Sequence, residues 1–283
     1  MIIFHHNDLD GRCAAAIVNY HHTVIKRGNT DRIKFVEMDY HKPCPLEMIQ
    51  KQDMVVIVDF SFKPDVFQQI RDRLEHPIKQ IIWCDHHKTC QAYPYSKDPI
   101  LGQRDFTEKG LSGCELTWQY FIGKDMPLAV SLVGDYDSWR LQQGARTFKF
   151  YEAMKLHDTN PAKPFWFAMF DKYNGNLVEN ICQEGGLVIR YRDAYCDDIR
   201  KAYSYETMLE GHKALVMNVC RFGSSAFGDA FDQYPICISY IHDGKKFIVS
   251  LYSKTVDVGA IAQKFGGGGH AGAAGFTCME LPF

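Results

Sequence analysis

Four apolar runs, each about one β-strand long, end on acidic residues, and this pattern constrains the fold more than any other feature of the chain. Residues 1–5 precede His6-Asn7-Asp8-Leu9-Asp10-Gly11, and residues 54–58 precede Asp59. Residues 80–84 precede Asp85-His86-His87, and residues 128–133 precede Gly134-Asp135-Tyr136-Asp137. Apolar runs of this length between breakers read as strands. In an open parallel sheet, ligands lie outside the carboxyl ends of the strands, so these loops can meet although about 130 residues separate the first from the last. Carboxylates that close together repel one another unless cations lie between them. Asp and His donors with open positions suit Mn²⁺ or Mg²⁺. A single Asp after a strand is more often a helix cap than a ligand. Capping does not account for four strand-end acids together with a tight H-x-D-x-D-G and a D-H-H.

Two choices arise between neighbouring candidates. His5 and His6 are neighbours, and an extended backbone turns only one of them toward a site. The H-x-D spacing favours His6 and leaves His5 to the core. Asp135 and Asp137 pose a similar choice, and Asp135, directly after its apolar run, is preferred.

The same runs organise the rest of the first 140 residues. Strands are predicted over 1–5, 34–38, 54–58 and 80–84, with helices over 11–20, 64–74 and 111–122. Ser112 and Glu115 have the spacing of a capping box at the start of the last helix. Alternating strand and helix predicts an α/β unit with a doubly wound, mainly parallel sheet. Residues 141–211 change character. Pro161, Pro164 and Asn174-Gly175-Asn176 interrupt them, and 177–203 have apolar residues at near-helical spacing, which predicts a helical connector. Strands return over 213–219, 235–242 and 245–252, with Asp243-Gly244 as a hairpin signal. Residues 212–283 are therefore expected to form a smaller C-terminal α/β domain, with the active site in the cleft between the two domains.

Composition narrows the ligand. A chain of 283 residues is long enough for two domains. At a net charge of −2 it lacks the basic track of a long-duplex binder, so small or short anionic ligands are expected. Ten cysteines without a C-x-x-C argue against a zinc ribbon and for reduced thiols in a cytoplasmic protein. No apolar run approaches the ~20 residues needed to span a bilayer, and the start has no basic leader region, so no membrane association is expected.

Near the C-terminus, Gly266–Gly269 precede His270 and a small, apolar stretch. Glycines let backbone N–H groups approach an anion closely, and His270 can add a donor, so this loop is expected to bind a phosphate. Tyr136 and Trp139 flank the last acids, either as core or as a face on which a base stacks. His212, Arg221 and Lys254 are further cations in the second domain that could meet a phosphate.

These motifs resemble those of the DHH phosphoesterase superfamily, whose name-giving motif stands here as Asp85-His86-His87. The C-terminal part resembles the DHH-associated domain with a G-G-G-H loop, here Gly267-Gly268-Gly269-His270. The resemblance covers both ends of the chain and leaves the connector without motifs. It implies that His6, Asp8 and Asp59 hold one metal, and that Asp10, Asp59, His86 and Asp135 hold a second, with Asp59 bridging. It further implies that His87 faces the phosphate and that Asp85 orients a neighbour. Many oligoribonucleases of the superfamily carry S-L-R-S before the glycine loop. Here the stretch reads Ser250-Leu251-Tyr252-Ser253, with Lys254 next, so Tyr252 or Lys254 takes the place of that Arg. The expected activity is Mn²⁺-dependent hydrolysis of short single-stranded oligonucleotides to mononucleotides. Hydrolysis of pApA, cyclic dinucleotides or another small nucleotide phosphate, exopolyphosphatase-like activity, and a nucleotide sensor without turnover remain alternatives. A homodimer is compatible with the sequence, which does not fix the oligomeric state.

Overall fold

Strand β1 (Ile2–His6) lies between β2 (Lys34–Met38) and β3 (Val55–Val58), and β4 (Ile81–Cys84) completes a sheet in the order β2-β1-β3-β4. Every neighbouring pair is parallel, with Ile2 beside Lys34 and Val55, and Val55 beside Ile81. The computed structural model describes every residue except Lys124, Lys172 and Tyr173. β1, β3 and β4 are almost unbroken apolar runs because both faces of a parallel sheet are covered. Ile3, Val56, Val58, Ile82 and Cys84 pack on one face, against α1 (Leu9–Tyr20), α4 (Gly113–Phe121), α5 (Leu128–Asp137) and α7 (Pro164–Phe170). Ile2, Phe4, Val55, Ile57, Ile81 and Trp83 pack on the other, where α2 (Pro64–Arg73) contributes Phe67 and Ile70. A short α3 (Pro77–Gln80) leads into β4.

The strand order places the site. From β1 the chain crosses to β2 on one side, and its next strand, β3, pairs with the opposite edge of β1. Connections that diverge in this way leave a crevice at the C-terminal ends of β1 and β3. His6 ends β1 and Asp59 follows β3, so both border that crevice.

Two expectations change in this region. The apolar run 128–133 is helical: it forms the body of α5, and among the described residues no strand follows β4 in this sheet. A short apolar run cannot be told from a buried helix by periodicity alone, and Ala129, Val130, Leu132 and Val133 are buried on all sides, which removes the polar face that marks an amphipathic helix. Residues after 140, read as connector, also join this core. α6 (Ala145–Met154) contributes Phe150, Ala153 and Met154, and α7 contributes Trp166, Met169 and Phe170.

The chain forms two compact units, Met1–Gly186 and Leu187–Phe283, with the boundary inside the long helix α8 (Gly175–Tyr203). In the second unit β5 (Tyr205–Leu209), β6 (His212–Met217), β7 (Ile236–His242), β8 (Phe247–Tyr252), β9 (Gly268–His270) and β10 (Ala273–Cys278) form a mixed sheet in the order β5-β6-β7-β8-β10-β9. Of these strands, only β6 and β7 are parallel neighbours. Alternation again sorts the side chains: Ala214, Val216, Ile236 and Ile238 face α9 (Val258–Lys264), while Leu215, Met217 and Cys237 face Cys196 of α8 and Phe227. The Asp243-Gly244 signal is a β7–β8 hairpin, with Gly244 at φ +95°.

Candidate metal centre

Asp8 caps α1. Its carboxylate accepts from the Gly11 amide at 2.9 Å and lies 2.6 Å from His6 Nδ1. Gly11 is required here because a Cβ would come within 2.5 Å of the His6 carbonyl, so the helix could not begin this close to β1. Asp10, inside the first turn and 2% exposed, is held by the N-terminus of α4. It accepts from Gly113 N at 2.7 Å, Cys114 N at 3.1 Å and the Ser112 hydroxyl at 2.9 Å. A helix N-terminus suits a carboxylate through its free N–H groups and dipole. Glu115 accepts from Ser112 N, as the capping-box spacing predicts, and is pinned by Arg140.

Asp59 sits at φ +51°, a left-handed conformation that few residues other than glycine adopt and that Asp tolerates better than most. The turn drives its carboxylate into the crevice at 1% exposure, against Gly113, where a Cβ would meet the Asp59 Cβ at 2.4 Å. Its oxygens lie 3.9 Å from His6 Nδ1, 3.2 Å from His86 Nε2 and 3.9 Å from His87 Nδ1. Both oxygens are buried without a hydrogen-bond partner. Burial first, then the charges of Asp10, Asp8 and Asp137, push its carboxyl well above the usual range.

Asp85, fully buried, organises the D-H-H turn. Its carboxylate accepts from His86 N at 2.9 Å and His87 N at 3.3 Å, pairs with His87 Nδ1 at 2.7 Å, and accepts from the Ser61 hydroxyl. Burial would raise the Asp85 carboxyl, but the bond and charge of His87 outweigh it and hold it below the usual value. Burial likewise opposes protonation of His87, and the Asp85 contact prevails, so this imidazole is held above its ordinary value.

The last acid near these groups is Asp137. His86 Nε2 lies 3.2 Å from Asp137 Oδ2 and 3.9 Å from Asp10 Oδ2. Asp137 Oδ2 is also buried without a hydrogen-bond partner. Burial, then Asp10 and Asp8, push the Asp137 carboxyl up to about 8. The preference for Asp135 is therefore corrected. Its carboxylate accepts from Gln142 N at 2.8 Å, Gln143 N at 3.0 Å and the Thr147 hydroxyl, which ties down the loop after α5. The cause is the helix: residues two apart in a helix point about 200° from each other, so only one of this pair can face the crevice.

Among the described residues three overlapping sets of potential ligand atoms result, each with its atoms within 4.8 Å of one another: His6, Asp8 and Asp59; Asp10, His86 and Asp137; Asp59, His86 and His87. Unsatisfied buried carboxylates of like charge are costly unless cations lie between them. The donor set of carboxylate oxygens and imidazole nitrogens fits divalent cations such as Mn²⁺.

His5 is 2% exposed, with Nδ1 2.8 Å from the His6 carbonyl, in the core role predicted for it. Gly267, Gly268, Gly269, His270, Tyr252 and Lys254 all lie in the second unit. Gly268–His270 is an edge strand with exposed residues, not a loop alone. Gly269 has φ +143°, and a Cβ on Gly267 would approach the Gly275 carbonyl to 2.1 Å, so both are needed for the β9–β10 hairpin itself. Tyr252 packs near Phe227, with ring centroids 6.2 Å apart, and Lys254 forms an ion pair with Asp232.

Comparison with known proteins agrees with this architecture. The DHHA1 domain family matches residues 225–281. Over 98% of its length the chain is 25% identical to uncharacterized protein R106 of Acanthamoeba polyphaga mimivirus, of which it covers 67%. The pGpG-specific phosphodiesterase PggH of Vibrio cholerae superposes with a TM-score of 0.56, covering 98% of this chain and 93% of that one at 13% identity. RecJ of Thermus thermophilus, in complex with Mn²⁺, aligns over 99% of this chain and 49% of that one, at 14% identity and a TM-score of 0.48. A parallel-sheet unit with the D-H-H turn is thus followed by a unit in which residues 225–281 match the DHHA1 domain, in a fold that the chain shares with PggH.

Proposed function

We propose that this protein is a Mn²⁺-dependent phosphodiesterase that hydrolyses short oligonucleotides to mononucleotides. The observation that carries the reading is the buried Asp59 carboxylate. Both of its oxygens lack hydrogen-bond partners, and they point between His6 and Asp8 on one side and His86 on the other. A carboxylate so placed can bridge two cations. His6, Asp8 and Asp59 would hold one of them, and Asp10, Asp59, His86 and Asp137 the other. When bound, two such cations supply charge neutralisation at a phosphodiester and activation of water for in-line attack.

The chain's own groups do the rest. Asp85 holds His87 Nδ1, which leaves Nε2 as the ring nitrogen that a substrate phosphate can reach, with the raised imidazole favouring its charged form. The α4 N-terminus fixes Asp10 through three donors, so its carboxylate is in position before any cation arrives. Gly267–His270, Tyr252 and Lys254 of the second unit are proposed to bind substrate. A short substrate is favoured by the net charge of −2, which provides no extended track for a long strand. The fold shared with a pGpG-specific phosphodiesterase supports a dinucleotide as one such substrate.

The test is a panel with Mn²⁺ under one salt condition: 2-mer, 5-mer and 24-mer RNA, pApA, cyclic dinucleotides and polyphosphate. Highest kcat/KM on the 2-mer or 5-mer supports the reading. A clear preference for the 24-mer, or for polyphosphate, overturns it.

A further inference from the structure

Trp139 is 54% exposed, whereas the other three tryptophans, Trp83, Trp118 and Trp166, are at most 3% exposed. Its backbone is in the left-handed region at φ +52°, and Leu141 follows at φ +55°. A bulky residue at positive φ is strained, and such strain persists only where the surroundings impose it. They do so here. Asp135 accepts from the backbone of Gln142 and Gln143, and its carbonyl accepts from Arg140 N at 3.1 Å and Leu141 N at 3.3 Å. Arg140 is clamped on Glu115 by two 2.7 Å contacts and donates to the Gly110 carbonyl at 2.9 Å. A loop held by this many contacts keeps a large aromatic residue in a costly conformation and half in water.

The position of that ring suggests its purpose. Trp139 lies two residues after Asp137 and leans edge-on against Tyr136, with centroids 5.4 Å apart, and against Phe148, at 6.0 Å. Tyr136 stacks on Tyr151 at 3.5 Å and 10°. Tyr136 is the residue between Asp135 and Asp137 at the end of α5, so the aromatic group adjoins Asp137 and with it the acidic centre, within the same unit.

We propose that the Trp139 indole, supported by Tyr136 and Phe148 and fixed by the Asp135-anchored loop, is the stacking platform for the nucleobase next to the phosphate being hydrolysed. This deepens the phosphodiesterase reading and rests on it. Every base offers a π-face, so such a platform distinguishes nucleotides from baseless phosphates without selecting one base. Asp135 is then a positioning residue, which explains why the two acids of the D-Y-D stretch have separate roles.

The test uses two probes that share one phosphate and differ by the base, AMP and ribose 5-phosphate, with the Mn²⁺-loaded full chain. Because the other tryptophans are buried, emission quenching reports on Trp139. AMP is expected to quench and ribose 5-phosphate to leave the emission unchanged. Trp139→Gly relieves the positive φ, so the variant should fold, which its melting temperature checks. It should bind AMP about 5- to 150-fold more weakly, the range that base stacking supports, with ribose 5-phosphate affinity unchanged. Trp139→Phe should recover most of the loss. If AMP and ribose 5-phosphate bind wild type equally and Trp139→Gly hydrolyses dinucleotides as wild type does, the platform is wrong while the phosphodiesterase reading stands. If neither probe binds and no dinucleotide is cleaved, the functional reading fails and the platform with it.

Discussion

Asp59→Asn should make the metal-free protein more stable while abolishing its response to metal. The substitution keeps size and shape, and Asn also tolerates the left-handed backbone at φ +51°. In metal-free wild type, Asp59 and Asp8 offer ligand atoms within 4.8 Å of each other. Two unit charges at that distance repel by roughly 3.5 kcal/mol at an effective dielectric of about 20. Asp8 is 42% exposed, and solvent screening reduces this to about 1–2 kcal/mol. For a unit of this size the melting temperature should rise by about 2–8 °C at pH 8. The sign follows from linkage. The folded-state carboxyl of Asp59 lies above its unfolded value, so the folded state retains a proton that the unfolded state has lost. Wild-type stability is therefore full at and below the unfolded pKa of 3.8 and falls as pH rises toward the raised folded value. The variant lacks this loss, so its advantage should grow with pH. Calorimetry of both proteins after chelation, from pH 5 to 8, measures it. Mn²⁺ at about 100 times its Kd should then add ~2.7 kcal/mol to wild type and much less to the variant. A variant less stable than wild type without metal, or an advantage flat with pH, would refute the electrostatic argument. An equal response of both proteins to Mn²⁺ would refute the bridging role.

Further outcomes separate the roles of neighbouring residues. Asp137→Asn should lower bound metal and reduce kcat by a factor of roughly 100 or more, the scale of losing one group that acts through a bound cation, whereas Asp135→Asn should keep full metal content by elemental analysis and mainly raise KM for nucleotides. Gly113→Ala must displace Asp59, because the added Cβ would come within 2.4 Å of it, so about 1–3 kcal/mol of stability and part of the metal affinity should be lost. His270→Ala should raise KM severalfold for short oligonucleotides with metal content unchanged; loss of an ion on that variant would place His270 in another role.

The first unit was largely legible because its strands are buried on both faces and read as apolar runs, and because each run ends on its functional group. β2 occupies the residues that its sequence pattern predicts, and β1, β3 and β4 are within a residue or two. The fourth run failed for the same reason that the first three succeeded. A helix buried on all sides has no polar stripe, so α5 carried no helical period, and the choice between Asp135 and Asp137 was made on a strand that does not exist. One signal pointed the other way: Pro127 stands directly before the run, in the N-cap position. The buried partners of Asp10 were hidden because the Ser112–Cys114 turn lies about 100 residues away in the chain, although the capping-box spacing of Ser112 and Glu115 marked where that helix begins. In the second unit the glycine run was visible, but its hairpin was not, since nothing in four glycines states which strand they will pair with.

The groups that converge at Asp59 come from residues 6 to 137, carried by the first sheet and by α5. A cation shared among them would act as a cross-link, closing a chain segment of about 130 residues in a chain whose ten cysteines are all free thiols. The last donor, Asp137, reaches the site only after α5 has docked. Metal capture would then come late in folding and act as a latch, slowing the unfolding of the native unit more than it speeds its formation. A nascent chain that has not yet presented residue 137 would lack that latch, whatever the metal supply around it.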